Sequence, residues 1–210
     1  MSCLLQLAGI DVAYRRHSDA RAKFAALYEH YSSPPRPTLQ AVCLHGASES
    51  LIASGEDDEA RVCLERGLAL CMQGNAYGPM LILLESLIRV CFRLGRNAEA
   101  ESYAKSGGAL AAALLHPASY AHLEELAADA QVAQHRGDDA IVTYDHARQI
   151  ASAYNQFGVW KSALDKLARL HSAAGRRDIA GELERERVRV EAVERGDERA
   201  QSPVTAERPA

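Results

Sequence analysis

The chain has 210 residues, 48% of them hydrophobic, with 24 Lys and Arg against 28 Asp and Glu for a formal net charge of −4. That hydrophobic share excludes a wholly disordered chain, and the slightly acidic balance lacks the basic face with which nucleic-acid binders meet phosphate. No stretch approaches the ~20 uninterrupted apolar residues of a membrane span, and MSCLLQLAGIDVAYRR has no basic segment ahead of its short apolar run, so a soluble, cytoplasmic protein is expected.

Taken in chain order, residues 3–14 predict a short first helix, Arg15–His17 a turn, and SDARAKFAALYEHY (18–31) a second helix. SSPPRPT (32–38) stops that helix, because its prolines cannot continue it, and forms a stiff connector. TLQAVCLHGASESLIAS (38–54) then places Leu44, Ala47, Ser48 and Leu51 at i, i+3, i+4 and i+7. Gly55 breaks the chain, and the acidic run Glu56, Asp57, Asp58 and Glu59 suits the positive end of the next helix. There Ala60, Leu64, Gly67, Leu68 and Cys71 form an apolar stripe whose small members, Ala60 and Gly67, admit a second helix closely, while Arg61, Glu65 and Arg66 face water. Helix, tight turn, helix is an αα-hairpin. Three more hairpins follow, with first-helix stripes Leu84, Leu87, Ile88 and Cys91 before Gly95; Leu123, Leu126, Ala127 and Ala130 before Gly137; and Leu164, Leu167, Ala168 and His171 before Gly175. The charged segment IAGELERERVRVEAVERGDER keeps Leu183, Val188, Val190 and Val193 and reads as a solvated capping helix; residues 195–210 are expected to be a disordered tail.

The hairpins are copies of one unit. Ala20, Ala60, Ala100, Ala140 and Ala180 recur every 40 residues; Asp19, Glu59, Glu99 and Asp139 precede four of them; Gly55, Gly95 and Gly175 stand five before; Phe24, Leu64, Ala104 and Tyr144 stand four after. The units run 3–37, 38–76, 77–116, 117–156 and 157–194. Gly137 lies three residues before its alanine where the other glycines lie five before, which predicts a displaced or altered turn in the fourth unit. A repeat of this length means a solenoid instead of a globule with one centre.

These columns resemble the tetratricopeptide repeat (TPR) pattern: small residues where two helices touch, Gly in the turn followed by an acidic residue, then Ala, a large apolar residue and another small one. In the second unit those roles fall on Ser48, Gly55, Glu56, Ala60, Leu64 and Gly67; the third departs with the bulky Ile88, and the fifth fails at Glu184 and Arg187, as a cap would. The stride exceeds the family's usual spacing of about 34 residues and is similar to the longer MalT-like subclass, with GNAYGPM (74–80) and YNQFGVW (154–160) each putting an aromatic and then Gly at the start of a hairpin. HEAT-type repeats are the rival of similar length, but their proline inside the first helix is missing, since Pro79 and Pro117 sit at helix starts. The resemblance implies an all-α, TPR-like right-handed superhelix (an α-solenoid) of about five helix-turn-helix hairpins.

It also implies a concave groove lined by the first helix of each hairpin. The positions that would face it are His45, Glu49 and Ile52; Glu85, Arg89, Phe92 and Arg93; His122, Glu125, Asp129 and Val132; and Asp165 and Arg169. Mixed charge with an aromatic suits an extended peptide or a partner helix, so a non-enzymatic protein-interaction module in bacterial regulation or secretion is the expectation. A ligand-sensing regulatory domain of the MalT-like kind, and a scaffold whose apolar ends pair between copies into a homo-oligomer, are the alternatives. The chaperone-tail-binding subgroup uses a Lys and Asn constellation where this chain has His45, Glu49, Glu85 and Arg89, so that activity is not expected.

Chemistry is sparse elsewhere. His17, His30, His45, His116, His122, His135, His146 and His171 show no metal-ligand spacing, and Cys3, Cys43, Cys63, Cys71 and Cys91 contain no Cys-x-x-Cys pair and read as buried thiols in a reducing compartment. In CLHG (43–46) thiol and imidazole point to different helix faces, GGALAAALL (107–115) has no phosphate-binding Lys, and Glu124 and Glu125 read as surface. No catalytic set is assembled and no metal or cofactor is expected.

Overall fold

The computed structural model describes residues 3–196, as ten helices in chain order: α1 (Cys3–Ala13), α2 (His17–His30), α3 (Pro37–Ser54), α4 (Asp57–Gln73), α5 (Tyr77–Arg93), α6 (Asn97–Ala113), α7 (Pro117–Ala133), α8 (Gly137–Ala153), α9 (Phe157–Ala173) and α10 (Arg177–Glu194). The described residues contain no strand. Most of the tail expected at 195–210 lies outside them, at 197–210. α3 starts on Pro37, a residue whose missing N–H costs nothing in the first turn.

One turn geometry closes almost every helix. Arg15, Gly55, Asn75, Gly95, Leu115, His135, Asn155 and Gly175 adopt φ between 49° and 80°. After each, a backbone N–H reaches back to the carbonyl five residues earlier: Glu56 to Leu51 at 2.9 Å, Arg96 to Cys91 at 2.8 Å, Arg136 to Gln131 at 2.9 Å and Arg176 to His171 at 2.9 Å, for example. This is the Schellman closure, which satisfies carbonyls that a helix end leaves open. Because the turns between hairpins match those within them, a helix of 17 residues and a three-residue turn form a 20-residue step, and two steps make the period read from the sequence. The fourth unit is therefore not displaced: His135, at φ 60°, stands where the other units have Gly, and Gly137 simply opens α8. A left-handed non-glycine residue costs about 1–2 kcal/mol, which the closing hydrogen bonds and the packing of the flanking helices offset.

Each helix packs on its chain neighbours, and the first helices of successive hairpins also meet: α1 with α3, α3 with α5, α5 with α7, α7 with α9. The backbones of the second helices stay further apart, and only long side chains bridge them. Elements come closest on the inside of a curve, so the first helices line the concave side. The core is distributed along the stack in four clusters, centred on Phe24 and Leu27, on Leu64 and Leu87, on Ile88 and Leu123, and on Tyr144 and Leu167. This is a TPR-like solenoid.

Small residues are matched to large ones between units. A Cβ on Gly67 would stand 3.1 Å from the Leu83 side chain, and one on Gly107 the same distance from Leu123. One period further on, where Ala147 replaces the glycine, Ala163 replaces the leucine, and both are fully buried. Ile88, too bulky for its column, shares a cluster with Ala100, Ala104 and Ala111, which leave room for it. Polar links add a ladder at the repeat spacing: Arg21 to Glu56 (2.6 Å), Tyr103 to Glu65 (3.2 Å), Arg136 to Glu101 (2.8 Å) and Arg148 to Glu186 (3.0 Å). In α10 Val190 is buried and Leu183 and Val193 partly so, while Val188 faces outward.

Candidate functional site

α3, α5 and α7 lie side by side on the concave face, and their side chains enclose an open trough of about 700 Å³. His45, Glu49, Glu85, Arg89, Phe92, Arg93 and His122 line it together, joined by Ile82, Ser86 and Leu126. Ile82, Glu85, Arg89 and Phe92 share one face of α5 at i, i+3, i+7 and i+10, so the spacing that selected the polar members also points to Ile82; its hydrophobicity argues for burial, yet it is 52% exposed.

The other groove positions fall elsewhere. Ile52 is 7% exposed and belongs to the core cluster of Leu51 and Leu64, a correction to its groove placement. Val132 is exposed but does not line the trough. Asp165 and Arg169 pair with each other at 2.7 Å near Arg187 of α10. Glu125, read from sequence as surface and as a groove contact, is 5% exposed and points into a polar network between α7 and α9.

In the trough, Arg89 pairs with Glu49, and Arg93 Nε bonds Asp57 Oδ2 at 3.0 Å. Ser86 Oγ donates to Glu49 Oε1 at 3.2 Å and lies 3.1 Å from His45 Nε2. A serine, a histidine and a carboxylate thus meet, a cluster the sequence reading missed because Ser86 comes from the next unit. Their arrangement opposes acyl-transfer chemistry. The carboxylate oxygen can only accept the Ser86 proton, so His45 Nε2 donates to Ser86 and is not the base facing it. Burial, opposed by Glu49 and aided by Arg89, also keeps the His45 pKa below its ordinary value. Ser86 lies mid-helix, where neighbouring backbone N–H groups are committed to the helix and supply no oxyanion hole.

Beneath His122 lies the second network. Lys166 Nζ bridges Glu125 Oε1 at 2.7 Å and Asp129 Oδ1 at 2.8 Å, Ser162 donates to Glu125, Tyr144 donates to Asp129 at 2.5 Å, and His122 Nδ1 is 3.7 Å from Glu125 Oε2. Burial works against ionisation of Glu125, but the nearby His122 and hydrogen bonds from Lys166 and Ser162 overcome it and hold the pKa at about 2. The Glu125 carboxylate beside it raises His122, against burial. A depressed carboxyl contributes stability that is complete above its unfolded pKa and is lost as pH falls through the folded one; a raised histidine contributes below its unfolded pKa and loses it as pH rises. The pair is therefore at full strength between about pH 4.5 and 6.5. On acidification from about pH 5 toward 3, the melting temperature is expected to fall more in the wild type than in Glu125→Gln, as read by circular dichroism.

The described residues hold no group of three His, Cys, Asp or Glu side chains able to bind a metal ion. Cys43, Cys71 and Cys91 are buried free thiols and Cys63 is partly so; burial pushes Cys43 and Cys91 up to about 11, which suppresses the reactive thiolate. No described helix is long and apolar enough to cross a membrane.

Comparison with known proteins places the fold. No protein-family model matches the chain and no curated protein does. Solved structures do match. A protein from Podosopora anserina with nearly identical TPR-like repeats of kinesin-light-chain type is 18% identical with a TM-score of 0.74, the match covering 92% of this chain and 95% of that one. Aspartyl phosphate phosphatase F from Bacillus subtilis is 15% identical with a TM-score of 0.76, covering 94% of this chain and 51% of that one. A Rap protein solved in complex with competence and sporulation factor is 13% identical with a TM-score of 0.67, covering 94% of this chain and 55% of that one. The chain thus spans about half the length of the last two. At these identities the likeness establishes the TPR-like fold.

Proposed function

We propose that this chain is a non-enzymatic protein-interaction module that receives an extended peptide or a partner helix in its concave trough, in a regulatory or secretory role of the bacterial kind. The observation that carries the reading is Ile82, a large apolar side chain left 52% exposed in the middle of a trough whose charges are already in place. Preset charges and an open apolar surface suit recognition, because little has to reorganise on binding. The likeness to a Rap protein solved with a bound factor supports the same use of the fold. A small-molecule sensor of the MalT-like kind is less well served, since the trough is open to solvent instead of closed around a ligand.

The cleanest probe is Ile82→Ser, which removes exposed apolar surface without touching the core; Phe92 is partly packed against the Ile88 cluster and is a poorer choice. Partners captured by the wild-type protein and identified by mass spectrometry are expected to bind the folded variant at least about tenfold more weakly. Undiminished capture would count against the trough as the binding surface.

Self-association has one observation in its favour. Leu7 and Ile10 of α1, with Tyr14 just past its last residue, are exposed apolar side chains at one end of the described stack. If copies pair there, light scattering gives a mass that rises with concentration.

A further inference from the structure

The trough is unevenly supplied with charge. Both of its arginines are matched, Arg89 by Glu49 and Arg93 by Asp57. His45 is held toward its neutral form and is hydrogen-bonded to Ser86. Glu85 is different: half-buried on the wall of the trough, it forms no hydrogen bond and no ion pair with any described residue, and its field is felt at His122 on the neighbouring helix. One turn before Glu85 stands Ile82, and Phe92 and Leu126 complete the apolar part of the lining.

An occupant with a negative group meets arginines whose charge Glu49 and Asp57 already balance, and faces Glu85 as well. One with a positive group meets Glu85 without breaking any existing pair, and in a partly dehydrated trough opposite charge is favoured strongly over like charge. The volume, about 700 Å³, lies in the range of ligand sites, and the trough is open to solvent, so that a peptide can reach it from outside. We propose that the trough between α3, α5 and α7 selects an extended peptide in which a Lys or Arg side chain meets Glu85 and a neighbouring apolar side chain covers Ile82, Phe92 and Leu126. This rests on the peptide-binding reading above and adds the class of peptide to it.

The test uses the full chain and an array of terminally blocked Gly/Ser peptides carrying one Leu and, at varied spacing, one Lys, Gln or Glu, with affinities of the strongest binders measured by fluorescence anisotropy. Lys peptides are expected to bind at least about tenfold more tightly than their Glu counterparts, with Gln between. Glu85→Gln, which removes no contact within the protein, abolishes that preference, and Glu85→Lys reverses it, both variants melting like the wild type. Ile82→Ser weakens all binders. An equal response to Lys, Gln and Glu, or a preference for Glu, overturns the inference; if Ile82→Ser still weakens those peptides, the trough remains a peptide site. Absence of binding by every peptide overturns both.

Discussion

Lys166→Ala is expected to destabilise the protein by about 3–5 kcal/mol, as measured by urea unfolding. Lys166 stands on α9 and reaches across to α7, where it bonds Glu125 at 2.7 Å and Asp129 at 2.8 Å. Glu125 is 5% exposed, so without the ammonium its charge stays buried with Ser162 and a more distant His122 for company. Against a typical total of about 5–15 kcal/mol, the loss threatens the fold. Two further variants separate charge from packing. Lys166→Met keeps most of the stem and should cost nearly as much; pairing it with Glu125→Leu should recover much of the loss, because an apolar pair has no charge to desolvate. Arg169→Ala breaks a pair whose two side chains are 79% and 45% exposed, and should change stability by less than about 1 kcal/mol. A small effect from Lys166→Met with a large one from Arg169→Ala would contradict this account.

Gly46→Ala is expected to destabilise by about 2 kcal/mol, in spite of a helix propensity that favours Ala over Gly by about 1 kcal/mol. Gly46 lies within α3, and the Phe24 ring of α2 rests on it so closely that a Cβ would stand 2.2 Å from a ring carbon. Phe24 is buried in the first core cluster with Leu27 and Cys43, so the ring has to leave its place and uncover apolar surface. Gly181→Ala in α10 has the opposite sign. Its Cβ would meet nothing nearer than the end of the Arg185 side chain at 3.9 Å, and the substitution should stabilise by about 0.5–1 kcal/mol. Thermal melts of the two variants compare a close approach with a merely tolerated glycine.

Much of the architecture was legible from spacing. Ala60, Ala100, Ala140 and Ala180 mark one place in successive units, and all four are buried where paired helices meet. The stripes of Leu84, Leu87, Ile88 and Cys91 likewise face inward. The fourth turn was misread because glycine served as the marker for a left-handed residue, and His135 takes that conformation without being glycine. In the candidate site, the face carrying Glu85, Arg89 and Phe92 follows from helical periodicity. The burial of Glu125 and the exposure of Ile82 do not, because residue type predicts the reverse in both; Ile52 is buried as its type predicts, and only the repeat pattern places it in the groove.

What the sequence determined by itself is the stride: helix, left-handed turn and helix, repeated with small residues at the crossings. Each of those signals acts within one helix and its caps, between groups a few positions apart. Only the tertiary structure decided which groove residues are already committed and which stay open. Arg89 finds Glu49, Arg93 finds Asp57 and Lys166 finds Asp129 across 36 to 40 residues of sequence, and Glu85 finds no such match among the described residues. Such pairings depend on how far one hairpin is rotated against the next. That angle is set by the summed packing of whole helix faces, which no single segment encodes.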